Sequence, residues 1–174
     1  MNPSISRKSF LVRAVLASAA AAIAVPRLRA QTPTPAGASA IPDRGPQIES
    51  ERVKEFVIAG HANLEKVKEM LAKQPALINA TWDWGGGDFE TALGGASHMG
   101  RADIAEVLLA HNARMDLFTA AMLGKIEIVK AAVAAFPAIV QVPGPHGIPL
   151  IAHAEKGGAG TVVEFLRSLP PAKA

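Results

Sequence analysis

At 174 residues the chain has room for one domain of ordinary size and a targeting segment, not for two full domains. Cysteine is absent, which excludes disulfides, thiolate metal sites and a cysteine nucleophile, and aromatic residues make up only 5%, which favours small-residue helix packing over an aromatic-rich sheet. The net charge of +3 resides in residues 1–30, where Arg7, Lys8, Arg13, Arg27 and Arg29 stand without an acid; residues 31–174 carry 13 basic against 15 acidic residues, so no basic stripe is left for a nucleic-acid partner.

The first thirty residues run from a polar start through an apolar stretch at 14–25 to Pro26-Arg27-Leu28-Arg29-Ala30. The start reads Ser6-Arg7-Lys8-Ser9-Phe10-Leu11-Val12. It resembles the twin-arginine export signal, with Lys8 in place of the second arginine and Arg7 and Phe10 at the expected positions. Only 12 residues separate Arg13 from Pro26, against the roughly 20 that a bilayer core requires, so a membrane span is not expected in the mature chain. Small Ala30 before Gln31 suits a signal-peptidase cut, and basic residues just ahead of a cut are typical of this pathway. The resemblance implies an exported, periplasmic bacterial protein, with an uncleaved amphipathic anchor as the other reading of the leader. Residues 31–48 are too rich in proline and glycine to propagate a helix or a ladder, so they are read as a flexible, disordered linker. The folded domain is expected over 49–170, with a tail at 171–174.

Within that domain the sequence repeats itself. With Ala62, Gly100, Gly124 and Gly157 as origins, the fifth residue on is Val67, Ala105, Val129 or Val162; the eighth is Met70, Leu108, Ala132 or Phe165; the ninth is Leu71, Leu109, Val133 or Leu166. All twelve are apolar, which gives each segment one buried stripe on a second helix. Pro75, Pro137 and Pro170 stand thirteen on from three of the origins, and small Ala59, Ser97, Ala121 and Ala154 stand three before each. These offsets predict helix pairs, with small residues on the first helix for close stacking and a left-handed origin glycine closing it.

The best-matching stretches are Thr91-Ala92-Leu93-Gly94-Gly95-Ala96-Ser97-His98-Met99-Gly100, Ile104-Ala105-Glu106-Val107-Leu108-Leu109 and Ile148-Pro149-Leu150-Ile151-Ala152-His153-Ala154. They resemble the ankyrin repeat. The resemblance implies an all-α fold, an α-solenoid of about four helix-turn-helix repeats over 51–80, 88–115, 116–145 and 146–170. The origins lie 38, 24 and 33 residues apart, against about 33 in the family. The short interval therefore has no residues for the usual β-hairpin finger, and the long one enlarges the finger between Ile78 and Glu90.

The enlarged loop carries Trp82, Asp83, Trp84, Asp88, Phe89 and Glu90 around Gly85-Gly86-Gly87. Ankyrin-like proteins generally bind partners along their fingers, so these six residues are the expected partner-binding set; the competing reading has the indoles covering the edge of the core. The glycine triplet lacks the strand and the Lys-Ser/Thr of a phosphate loop, and Asp83, Asp88 and Glu90 do not follow a calcium-loop spacing. His61, His98, His111, His146 and His153 are scattered through the repeats without the i, i+4 pairing of a zinc helix, and are read as structural: His61 and His98 at helix ends, His153 in helix packing, His146 fixing a hairpin. Ser97 lacks the context of a nucleophile elbow. The expectation is a non-enzymatic, exported protein-binding module, monomeric, with no metal, cofactor or catalytic residue. The alternative is a small-ligand-binding protein or enzyme that uses 82–90 as a pocket.

Overall fold

The computed structural model describes residues 45–170. The expected export signal with Arg7, Lys8 and Phe10, the Ala30–Gln31 cleavage pair, most of the 31–48 linker and the 171–174 tail lie outside the described residues.

The described chain is mostly helical, in four successive pairs: α1 (Ser50–Ala62) with α2 (Leu64–Lys73), α3 (Ala92–His98) with α4 (Ala102–Ala110), α5 (Leu117–Met122) with α6 (Ile126–Ala135), and α7 (Leu150–Lys156) with α8 (Gly160–Ser168). Helices this short are marginal alone and depend on packing. The first helices stack in chain order, α1 on α3, α3 on α5 and α5 on α7, while α2 meets α4 and α6 meets α8. None of the described helices is long and apolar enough to cross a membrane.

Local chemistry sets the helix ends. Asn63, Thr91 and Asp116 cap α2, α3 and α5 by accepting the N–H of Lys66, Gly94 and Thr119 at 3.0, 3.1 and 2.7 Å. Pro75 and Pro137 end α2 and α6 and open 3-10 turns at Pro75–Asn79 and Pro137–Gln141. Gly100 and Gly124 adopt the expected left-handed conformation, φ +69° and +67°. The other two origins do not. Ala62 is the last residue of α1, and in the fourth pair the left-handed residue is Gly158, φ +67°, with Gly157 at a helical −80°. Gly157 is needed for a different reason: a Cβ there would lie 2.0 Å from the Met122 carbonyl oxygen, where α7 packs on the end of α5.

Repeat positions and burial correspond closely in the first-helix and fifth-offset sets. Val67, Ala105, Val129 and Val162 are all fully buried, as are Ser97, Ala121 and Ala154. The core forms two adjoining clusters. One spans the first three pairs, from Phe56 through Leu93 and Leu108 to Met122; the other holds Ala121, Val129, Val133, Leu150, Ala154 and Val162.

Between the pairs, length decides what forms. Residues 111–116 make no strand. The long interval folds into a two-stranded antiparallel hairpin, β1 (Thr81–Asp83) and β2 (Phe89–Thr91), with Trp82 opposite Glu90. Its turn is made by Gly85, Gly86 and Gly87, all at positive φ, and Asp83 Oδ1 accepts the Gly85 N–H at 2.8 Å. The hairpin packs against α1.

Candidate functional site

The hairpin does not present all six expected partner-binding residues to solvent. Phe89 does stand out, 61% exposed, and Trp82 lies half-buried under the Lys54 ammonium, whose Nζ is 5.3 Å from the ring centroid. Glu90 points the other way. It is 1% exposed, so the expectation that it contacts a partner gives way to an internal role. The pleat explains it: neighbours along β2 alternate faces, so an outward Phe89 requires an inward Glu90. Trp84 stays exposed, at 37%, while its indole N–H donates to Glu90 Oε2 at 2.8 Å. Asp83 stays in its own turn, and Asp88 leaves the hairpin to bind the loop before α7.

Around Glu90 the fold gathers three histidines, from two helix pairs and from the loop before the fourth. His61 comes from the last turn of α1, His98 from the last residue of α3 and His146 from the turn Pro145–Gly147. His98 Nε2 lies 2.9 Å from Glu90 Oε1, while His61 Nε2 and His146 Nε2 lie 3.3 and 3.4 Å from Oε2. His61 Nε2 and His98 Nε2 are themselves 3.2 Å apart. One ligand-type atom from each of the four residues falls within 4.8 Å of all the others. Among the described residues this group of side chains could hold a metal ion, and it brings together three histidines that the sequence reading kept separate.

Two of the three rings are held from behind. His61 Nδ1 donates to the Val57 carbonyl at 3.0 Å, and His146 Nδ1 faces Asp88 Oδ2 at 2.8 Å while the His146 backbone N–H donates to Asp88 Oδ1 at 2.9 Å. His146 takes φ +59°, a left-handed conformation uncommon outside glycine, which these two bonds and the turn sustain. Gly95 makes room for His61, since a Cβ there would come within 2.7 Å of the ring.

Electrostatics follow from burial and neighbours. Burial alone would raise the Glu90 carboxyl, but hydrogen bonds from His61 and His98, the charge on His61 and the Trp84 indole override it and bring it down to about 2. The bond to Glu90 raises His61, against the effect of its own burial. Asp88 is lowered by the His146 backbone N–H, with burial opposing and the His146 ring assisting.

His153 takes no part in this group. Fully buried, it meets Ser97 Oγ through Nδ1 at 2.8 Å, packs against Phe118 and leaves Nε2 without a partner. Burial, then repulsion from His98, lowers it to about 4. A serine–histidine pair invites a hydrolase reading, yet both residues are 0% exposed and no substrate carbonyl can reach the hydroxyl. His111 is exposed and bonds its own helix at Val107 O, 2.8 Å.

A weak signal for the centre was present in the sequence. His61 and His98 stand one and two residues before their origins, so stacked first helices bring them side by side. Nothing local marked His146 or the inward turn of Glu90. No protein-family model matches the chain, and no curated protein matches it.

Proposed function

We propose that this chain is an exported, non-enzymatic binding module built as an ankyrin-like α-solenoid, with its recognition end where the 81–91 hairpin meets the 143–148 loop. Supporting the ankyrin-like reading are four helix pairs whose first helices stack in chain order, an enlarged finger at the long interval and a missing finger at the short one.

The observation that carries the binding reading is Phe89. It stands bare beside a cleft of about 240 Å³ whose lining includes Phe118, Pro143 and Pro145. Rigid apolar walls of this kind suit an apolar side chain from a protein partner, because little conformational entropy is lost on contact. The test is a comparison of the chain with its Phe89→Ser variant as baits against exported proteins. Phe89 is 61% exposed, so the variant should keep its far-UV circular dichroism and lose the partner by about 2 kcal/mol or more if Phe89 is an anchor. Recovery of the same partner in equal yield by both baits would sink the proposal. Trp84→Ala is a poorer probe because it also strips a hydrogen bond from Glu90.

A second reading, a small ligand held inside the loop, is favoured by one specific observation: a buried carboxylate faced by three imidazoles.

A further inference from the structure

We propose that Glu90, His61, His98 and His146 bind a single divalent transition-metal ion of the zinc type, through three imidazole Nε2 atoms and one carboxylate oxygen. The assignment does not rest on the partner-binding reading.

The first support is the proton inventory. The Val57 carbonyl can only accept, so His61 Nδ1 carries a hydrogen, and Nε2 donates to Glu90 only when the ring is protonated; in the neutral ring Nε2 is a lone pair. The same logic holds for His146, whose Nδ1 faces the Asp88 carboxylate. Both lone pairs are aimed at Glu90 Oε2, at 3.3 and 3.4 Å, where the Trp84 indole already donates. His98 Nε2 offers at most one proton between Glu90 Oε1 and His61 Nε2. Neutral rings thus set lone pair against lone pair around a buried anion. A shared cation removes the conflict in one step, because every lone pair becomes a ligand; protonating the rings instead would crowd imidazoliums together.

The second support is distance. Ligands bound tetrahedrally at about 2.0–2.1 Å stand roughly 3.4 Å apart. With Glu90 Oε2 as the oxygen ligand, His61 and His146 Nε2 stand 3.3 and 3.4 Å from it and His61 and His98 Nε2 stand 3.2 Å apart, while one ligand atom from each of the four residues lies within 4.8 Å of the others. The third is the outer layer: a backbone carbonyl behind His61, a carboxylate behind His146 and an indole N–H on Glu90 are the kinds of contact that orient metal ligands and fix their tautomers. Three nitrogens and one oxygen suit zinc-type ions and disfavour calcium and magnesium, which take oxygen ligands. Access is from the side of His146 and His61, whose side chains are 33% and 22% exposed, against 0% for Glu90.

The test uses the untagged full chain, stripped with a chelator and titrated with Co²⁺, then with Zn²⁺ in competition. The expected result is one equivalent of Co²⁺ with the intense visible absorption of a tetrahedral site, displaced by one equivalent of Zn²⁺. His146→Ala, in an exposed turn, and Glu90→Gln should each weaken binding by at least about 100-fold while far-UV circular dichroism checks that both variants keep the fold. Asp88→Asn, acting through His146, should weaken it about 10–100-fold. His111→Ala, outside the centre, should leave it unchanged. No uptake, or uptake that survives both His146→Ala and Glu90→Gln, overturns the assignment.

Discussion

The first junction of the stack and its last pair follow one repeat pattern and end in different states. In α2 and α4 the stripe closes over Val67, Met70 and Leu71 and over Ile104, Ala105 and Leu108. In α8 only Val162 is fully buried, and Phe165 and Leu166, at the offsets of Met70 and Leu71, are half-exposed. The sequence positions are equivalent; the number of neighbours is not. A helix pair cannot bury its own stripe, so burial depends on what stacks upon it. The same argument locates the polar centre, which needs ends from α1 and α3 and a loop from the last pair, and so sits among stacked units.

The comparison can be broken most directly by truncating equivalent side chains. Leu71→Ala removes a buried side chain and should cost about 2–5 kcal/mol, whereas Leu166→Ala, at the same offset in the half-exposed end, should cost roughly 1 kcal/mol. Urea denaturation of the two variants decides, and equal losses would abolish the contrast.

Next in size is a pH effect at the junction between α3 and α7. His153 is lowered to about 4 in the fold by burial, then by His98, with Asp116 and Glu90 opposing, from an ordinary value of 6.5. A depressed histidine binds its proton more tightly in the unfolded chain. Its contribution is therefore complete above 6.5 and lost as pH falls towards 4, by at most about 3 kcal/mol. Subtracting a His153→Leu variant isolates the slope in metal-free protein; a difference curve flat from pH 7 to 4 would contradict it.

The smallest effect separates two adjacent glycines. Gly157→Ala pushes a methyl into the Met122 carbonyl and should cost roughly 1–3 kcal/mol by overpacking. Gly158→Ala meets nothing within 4 Å and carries only the left-handed penalty, about 1 kcal/mol. Thermal denaturation giving the reverse order would return the turn to Gly157, where the repeat offsets first put it.

That one-residue shift shows where sequence reasoning stops. The offsets located Ser97, Ala121 and Ala154 correctly as close-packing positions, because small side chains at a fixed helical phase leave a direct trace. They did not tell a glycine required by φ from one required by a neighbour's carbonyl, since both are simply glycine. Likewise Trp82, Asp83, Trp84, Asp88, Phe89 and Glu90 look alike as a polar, aromatic loop. Only the pleat of a real hairpin sends Phe89 out and Glu90 in.

The helical content, the pairing of short helices and the fully buried fifth positions follow from periodicity, caps and prolines, which act over a few residues and can be read along the chain. The repeat offsets bring His61 beside His98, but the arrival of Glu90 and His146 at the same point was decided by tertiary structure. The four donor atoms converge to within 4.8 Å across as many as 85 positions of sequence. No local rule encodes that convergence, because it is set by how far one helix pair is displaced and rotated upon the next.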